Sequence, residues 1–269
     1  MPSHTRYFFL VIVLLLNACN NNDAVPEAGN TIVSTRSEKQ IREQITQYPD
    51  SLLLKENLVQ YFREAGNYEE AIKETDKMLL ADSLNDRLLD IRATLYFENG
   101  DTLQAIASFE KALEINPQPA YIISLGSLYA QTSNPLALAM ADALLQAPKA
   151  NAQVQAIFIK GLYYSYAGEK VKALSYFNTC LKMDYRNLLA YREKAICLYD
   201  LEKYASAIDV LTQAVTVQQT FDEAYYWMGR CYEKLAKKEA AIENYQVALQ
   251  LDPQYQEAKE GLARLGVKL

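Results

Sequence analysis

Two helical periodicities share residues 222–255. Tyr225, Met228, Gly229 and Tyr232 fall three and four apart, which is one face of a helix. Ala241, Tyr245, Ala248 and Leu249 line a second helix in the same way. The mostly polar stretch 234–239 between them predicts a turn, and Asp252 before Pro253 predicts a stop, because the residue ahead of a proline is pushed out of the helical region. The pattern therefore predicts a helix hairpin with small residues where its helices touch. It recurs at a step of 34 residues: Tyr191, Ala195, Leu198, Ala207, Leu211 and Ala214, then Ile157, Gly161, Tyr164, Ala173, Phe177 and Cys180. Further back stand Leu89, Ala93, Tyr96, Ala105, Phe109, Ala112 and Pro117, and then Val59, Phe62, Ala71 and Met78.

The remaining stretches fit the same scheme. Ile41, Ile45 and Tyr48 predict a half-repeat helix at the N-terminal side. Ala258, Leu262 and Leu265, backed by charges, predict a closing helix. Gly66, Gly100 and Gly168 mark three turns, whereas the turn at 200–204 has no glycine. The stretch 119–153 is irregular. Gly126 and Tyr129 come one place early, Pro135 is expected at the first position of its helix, and Pro148 is expected to end it early.

A fixed period with these residue types resembles the tetratricopeptide repeat. The resemblance implies an all-α fold, an α-solenoid of about six hairpins at 52–85, 86–118, 119–153, 154–187, 188–221 and 222–255. A half-repeat precedes them and a cap follows at 256–269, giving one repeat domain over 37–269. It also implies a protein or peptide partner, held where the first helices of the hairpins line an inner face. On that face the predicted stripe is Glu223, Tyr226, Arg230 and Glu233 in the last hairpin and Leu189, Arg192, Ile196 and Tyr199 in the one before. Phe158 and Leu162, with Tyr166 beside them, continue it. Phe158, Tyr166, Arg192, Tyr199, Tyr226 and Arg230 are the expected partner-binding residues, because Tyr and Arg anchor interfaces. Toward the N-terminal side the stripe turns acidic and polar, with Glu56, Gln60 and Asp90. The cationic clamp that chaperone-binding members of the family close on a terminal carboxylate is missing at those positions. An apolar inner stripe could also dock a second copy of the chain.

The N-terminal residues add a location. Residues 1–18 read as an export signal, with Arg6 ahead of an apolar stretch at 7–16 that is about half the length needed to span a bilayer. Leu16, Asn17, Ala18 and Cys19 resemble the bacterial lipobox. That resemblance implies cleavage before Cys19, lipidation of Cys19 as a diacylated residue with palmitate-type chains, and a lipoprotein held on a membrane. Asn20 lacks the acid of inner-membrane retention, which favours the outer membrane of a Gram-negative bacterium, on its periplasmic or surface face. Residues 19–36, with Pro26 and Gly29, predict a flexible tether.

Composition narrows the chemistry. A net charge of −6 speaks against a nucleic-acid partner. The one histidine, His4, lies in the segment expected to be removed, so the commonest general base and metal ligand is missing from the mature chain. No enzyme activity, metal or cofactor is expected. Cys180, Cys197 and Cys231 are expected as buried thiols, with a Cys180–Cys197 disulfide as the alternative. The 20 tyrosines leave a second function open, carbohydrate capture by stacking on aromatic rings.

Overall fold

The computed structural model describes residues 37–146 and 150–268. The expected signal, Cys19, the tether and Pro148 lie outside the described residues. Among the described residues the chain is all helix, without strands, and it divides into two compact units on either side of Leu125 and Gly126.

The first unit holds α1 (Glu38–Gln47), α2 (Leu52–Glu64), α3 (Tyr68–Ala81), α4 (Asp86–Glu98) and α5 (Thr102–Ile115), and the unit boundary falls within α6 (Pro119–Gln131). The second unit holds α7 (Leu136–Leu145), α8 (Ala150–Tyr166), α9 (Lys170–Met183), α10 (Leu188–Asp200) and α11 (Tyr204–Val217). It ends with α12 (Asp222–Lys234), α13 (Lys238–Leu251) and α14 (Gln256–Arg264). Within each unit a helix packs on its successor, and in the second unit α10 and α12 also touch the first helices on either side of them.

Local chemistry starts and stops these helices. Ser37 and Gln40 form a capping box, each side chain accepting from the other's backbone N–H. Asn67, Asn85, Asp101 and Asn187 each accept from the N–H three residues on, a cap worth about 1 kcal/mol. The hairpin turns need one residue in the left-handed region. Gly66, Gly100 and Gly168 supply it without strain, whereas Ser133, Glu202 and Ala236 adopt it with φ of 55°, 58° and 55°. At Glu202 two bonds close the turn, Glu202 N–H to the Tyr199 carbonyl and Lys203 N–H to the Leu198 carbonyl.

The helices of a hairpin meet as the small-residue pattern predicts. A Cβ on Gly229 would stand 2.7 Å from the Tyr245 ring, and one on Gly261 would stand 2.7 Å from the same ring. Tyr245 is thus clamped between α12 and α14, fully buried. Gly161 admits the Phe177 ring in the same way. The irregular stretch differs from expectation by one residue. α7 runs from Leu136 with Pro135 just ahead of it, already helical in conformation, and the Asn134 side chain accepts from Leu136 N–H at 3.0 Å. α7 stops at Leu145, and α8 begins at Ala150, ahead of residue 154.

One sequence expectation is corrected. The face Tyr225, Met228, Gly229 and Tyr232 was to be the packed one, leaving Tyr226 on an open stripe. Instead Tyr225 and Tyr232 are half-buried while Tyr226 is 2% exposed. The reason is that α12 touches α10, α11, α13 and α14, so little of its circumference reaches water.

Candidate partner-binding face

The first helices of the second unit are tied to one another side chain to side chain. On α12, Arg230 donates to the hydroxyls of Tyr226 (2.9 Å) and of Tyr199 on α10 (3.2 Å). Its guanidinium stands 5.1 Å from the Tyr199 ring centre, 5.3 Å from that of Trp227 and 5.9 Å from that of Tyr226. Trp227 meets both tyrosines edge to face at 5.5 Å, and Tyr255 lies against Tyr226 at 5.0 Å. Three rings thus surround one cation, each contact worth roughly 0.5–1 kcal/mol at exposed sites and more where water is excluded. Tyr199 and Arg230 remain half-buried and reach the surface, while Trp227 and Tyr226 form the floor.

One step along, Arg192 of α10 is 5% exposed. It donates twice to Glu223 of α12, both at 2.9 Å, and also to its neighbour Glu193. Burial pushes the Glu193 carboxyl up, against the pull of Arg192. At the other end of α12, Glu233 receives Arg264 of α14 at 2.9 Å and the Tyr245 hydroxyl. Burial alone would raise the Glu233 carboxyl, but those two donors outweigh it and hold it below the ordinary carboxylate range.

Three of the six expected binding residues therefore come together: Tyr199, Tyr226 and Arg230. Arg192 lies on the same face but is engaged by two carboxylates. Phe158 is 2% exposed and lies tilted on Phe177 at 5.9 Å, so it offers a partner almost no surface. Tyr166, 42% exposed, ends α8 and is not one of the rings around Arg230. Trp227 was not singled out, although it is the only tryptophan and sits next to Tyr226.

A rule that sequence reading missed links these contacts. Arg192 to Glu223, Tyr199 to Arg230 and Glu233 to Arg264 are each separated by 31 residues, one repeat less about one helical turn. The first unit shows it too, with Glu56 of α2 accepting from Arg87 of α4 at 2.8 Å. Opposite charges at that spacing were present in the sequence.

Other chemistry is sparse. Cys180, Cys197 and Cys231 are free and buried. Burial pushes their thiols up to about 12, 11 and 12, so they stay protonated at neutral pH. Among the described residues no group of His, Cys, Asp and Glu could hold a metal, and no helix is long and apolar enough to cross a membrane.

Comparison with known proteins agrees with this architecture. Three models of one family, described as tetratricopeptide repeat, match residues 87–119, 160–220 and 222–259. Stress-induced-phosphoprotein 1 of Caenorhabditis elegans is 23% identical over 229 residues, covering 73% of this chain and 72% of its own length. The chain spans less than half the length of other curated relatives it matches. Among solved structures, a tetratricopeptide repeat protein from Parabacteroides merdae superposes with a TM-score of 0.72 at 22% identity, over 86% of this chain and 91% of that one. PilW, a type IV pilus biogenesis factor, superposes with a TM-score of 0.58 at 19% identity, over 78% and 97%.

Proposed function

The chain belongs to the tetratricopeptide repeat family, and from that premise we propose that it is an interaction scaffold without enzymatic activity, binding a partner protein or peptide on the first-helix face of its second unit. One observation carries the reading: Tyr199, Tyr226, Trp227 and Arg230 converge from two successive first helices, with Tyr199 and Arg230 reaching the surface. Aromatic rings and arginine set in a packed surround are what anchors protein interfaces. A segment with an apolar side chain and a carboxylate suits them, the first against Tyr199 and the second toward Arg230. Within this cluster Trp227 and Tyr226, 6% and 2% exposed, present no open ring face for sugar stacking.

The proposal extends to location. The lipobox-like run ending at Cys19 supports a membrane-tethered scaffold of the bacterial envelope, outer membrane included, serving assembly or secretion. Lipid anchoring is tested by metabolic labelling with an alkyne-bearing palmitate. The wild type should take up label and sediment with membranes, and Cys19→Ala should do neither. An unlabelled, soluble wild type would end the lipoprotein reading. For the binding face, purification from its native cells of wild type and Arg230→Ala should yield one protein that the variant loses. Identical recoveries would place the contact elsewhere.

A further inference from the structure

The first unit holds a cleft of about 250 Å³ between α2 and α4, lined by Glu56, Gln60, Arg63, Arg87, Asp90 and Thr94 among others. Its charges are paired, with one exception. Arg87 is given to Glu56, and Arg63 to Glu98. Asp90 lies half-buried on the wall, and no hydrogen bond or ion pair within the described residues reaches its carboxylate.

The pairing rule makes this exception informative. Several polar residues on these helices find a partner 31 places along, as Glu56 finds Arg87 and Arg192 finds Glu223, while Arg63 finds Glu98 35 places along. For Asp90 that place is Tyr121 of α6, and the Tyr121 hydroxyl donates at 2.8 Å to Asp86 instead, which also receives Asn116 at 2.9 Å. In the other direction the place is Val59. Asp90 is thus a carboxylate with no cation bonded to it, since Arg87 and Arg63 are held by Glu56 and Glu98, and it stands beside a cavity large enough for a side chain.

We propose that this cleft receives a cationic side chain, Lys or Arg, of the bound partner, with Asp90 as its counter-ion. The inference rests on the reading of the chain as a peptide-binding scaffold and assigns a second contact, on the first unit. Gln60 and Thr94 offer additional acceptors to the cation's N–H groups.

Burial and the neighbouring Asp86 push the Asp90 carboxyl up to about 6, against the pull of Arg87. The other charged and titratable groups around it are Glu56 and the Arg63–Glu98 pair from α2 and α4, and Tyr121 from α6. The native state therefore holds this proton to higher pH than the unfolded chain. The Asp90 contribution to stability falls as pH rises from about 4 to about 6. Cation binding runs the other way and strengthens over the upper part of that window.

The test uses a random nonapeptide library selected on the intact chain and on Asp90→Asn. The wild type should enrich peptides carrying Lys or Arg. A blocked peptide from that pool should bind at least tenfold tighter at pH 7.5 than at pH 5. Asp90→Asn should lose the enrichment and the pH dependence while melting no lower than wild type at pH 7.5, so that the loss is not unfolding. Retained peptides without cationic enrichment, or indifferent to Asp90→Asn, would overturn this inference alone. Failure to retain any peptide would overturn both it and the peptide-binding reading.

Discussion

At the scale of single residues, the fold depends on glycines that admit aromatic rings. Tyr245 fills the space that Cβ atoms would take on both Gly229 and Gly261, so this ring keeps its place only while both positions stay bare. Gly229→Ala forces the ring off its site and should destabilise the protein by about 1–3 kcal/mol, read by denaturant unfolding. An unchanged midpoint would mean that the ring relaxes freely. The Gly and Tyr slots were legible in the sequence because each faces a fixed neighbour at every repeat. The fate of Tyr226 and Trp227 was not. Periodicity identifies one apolar stripe, whereas a helix with four helical neighbours buries several, and no stripe then marks the open side.

At the scale of the hairpin, the turn decides how one helix hands over to the next. Three turns use glycine, and Ser133, Glu202 and Ala236 take the same left-handed conformation at a cost in strain. Glu202→Gly should relieve more strain than the added freedom of the unfolded chain takes away, a gain of about 0.5–1 kcal/mol with the turn unchanged. A lower melting temperature in that variant would show that the Glu202 side chain contributes more than its backbone costs. The sequence predicted a turn at 200–204 without glycine, but which residue would take the left-handed role depends on the closing hydrogen bonds, which composition does not reveal. The start of α7 is a related case. Pro135 has helical dihedrals just ahead of Leu136, whose N–H the Asn134 side chain caps.

At the scale of the whole molecule, repetition made the hairpin architecture legible, whereas the binding face depends on contacts between repeats. Several of those contacts follow a spacing of 31 residues rather than the repeat length, since a side chain reaches back about one turn on the neighbouring helix. Arg192 illustrates the consequence. As a predicted anchor it should be open, yet Glu223 and Glu193 hold it in the interior. Tyr199 and Arg230 share the spacing but keep a surface, and the proposed function rests on them. The most direct test places a photo-crosslinking phenylalanine analogue at Tyr199, and separately at the exposed Glu243 of α13, in the cells that make the protein. The account predicts one discrete protein adduct from position 199 and none from 243. An adduct from 243 alone, or none from either with the protein folded and present, would contradict it.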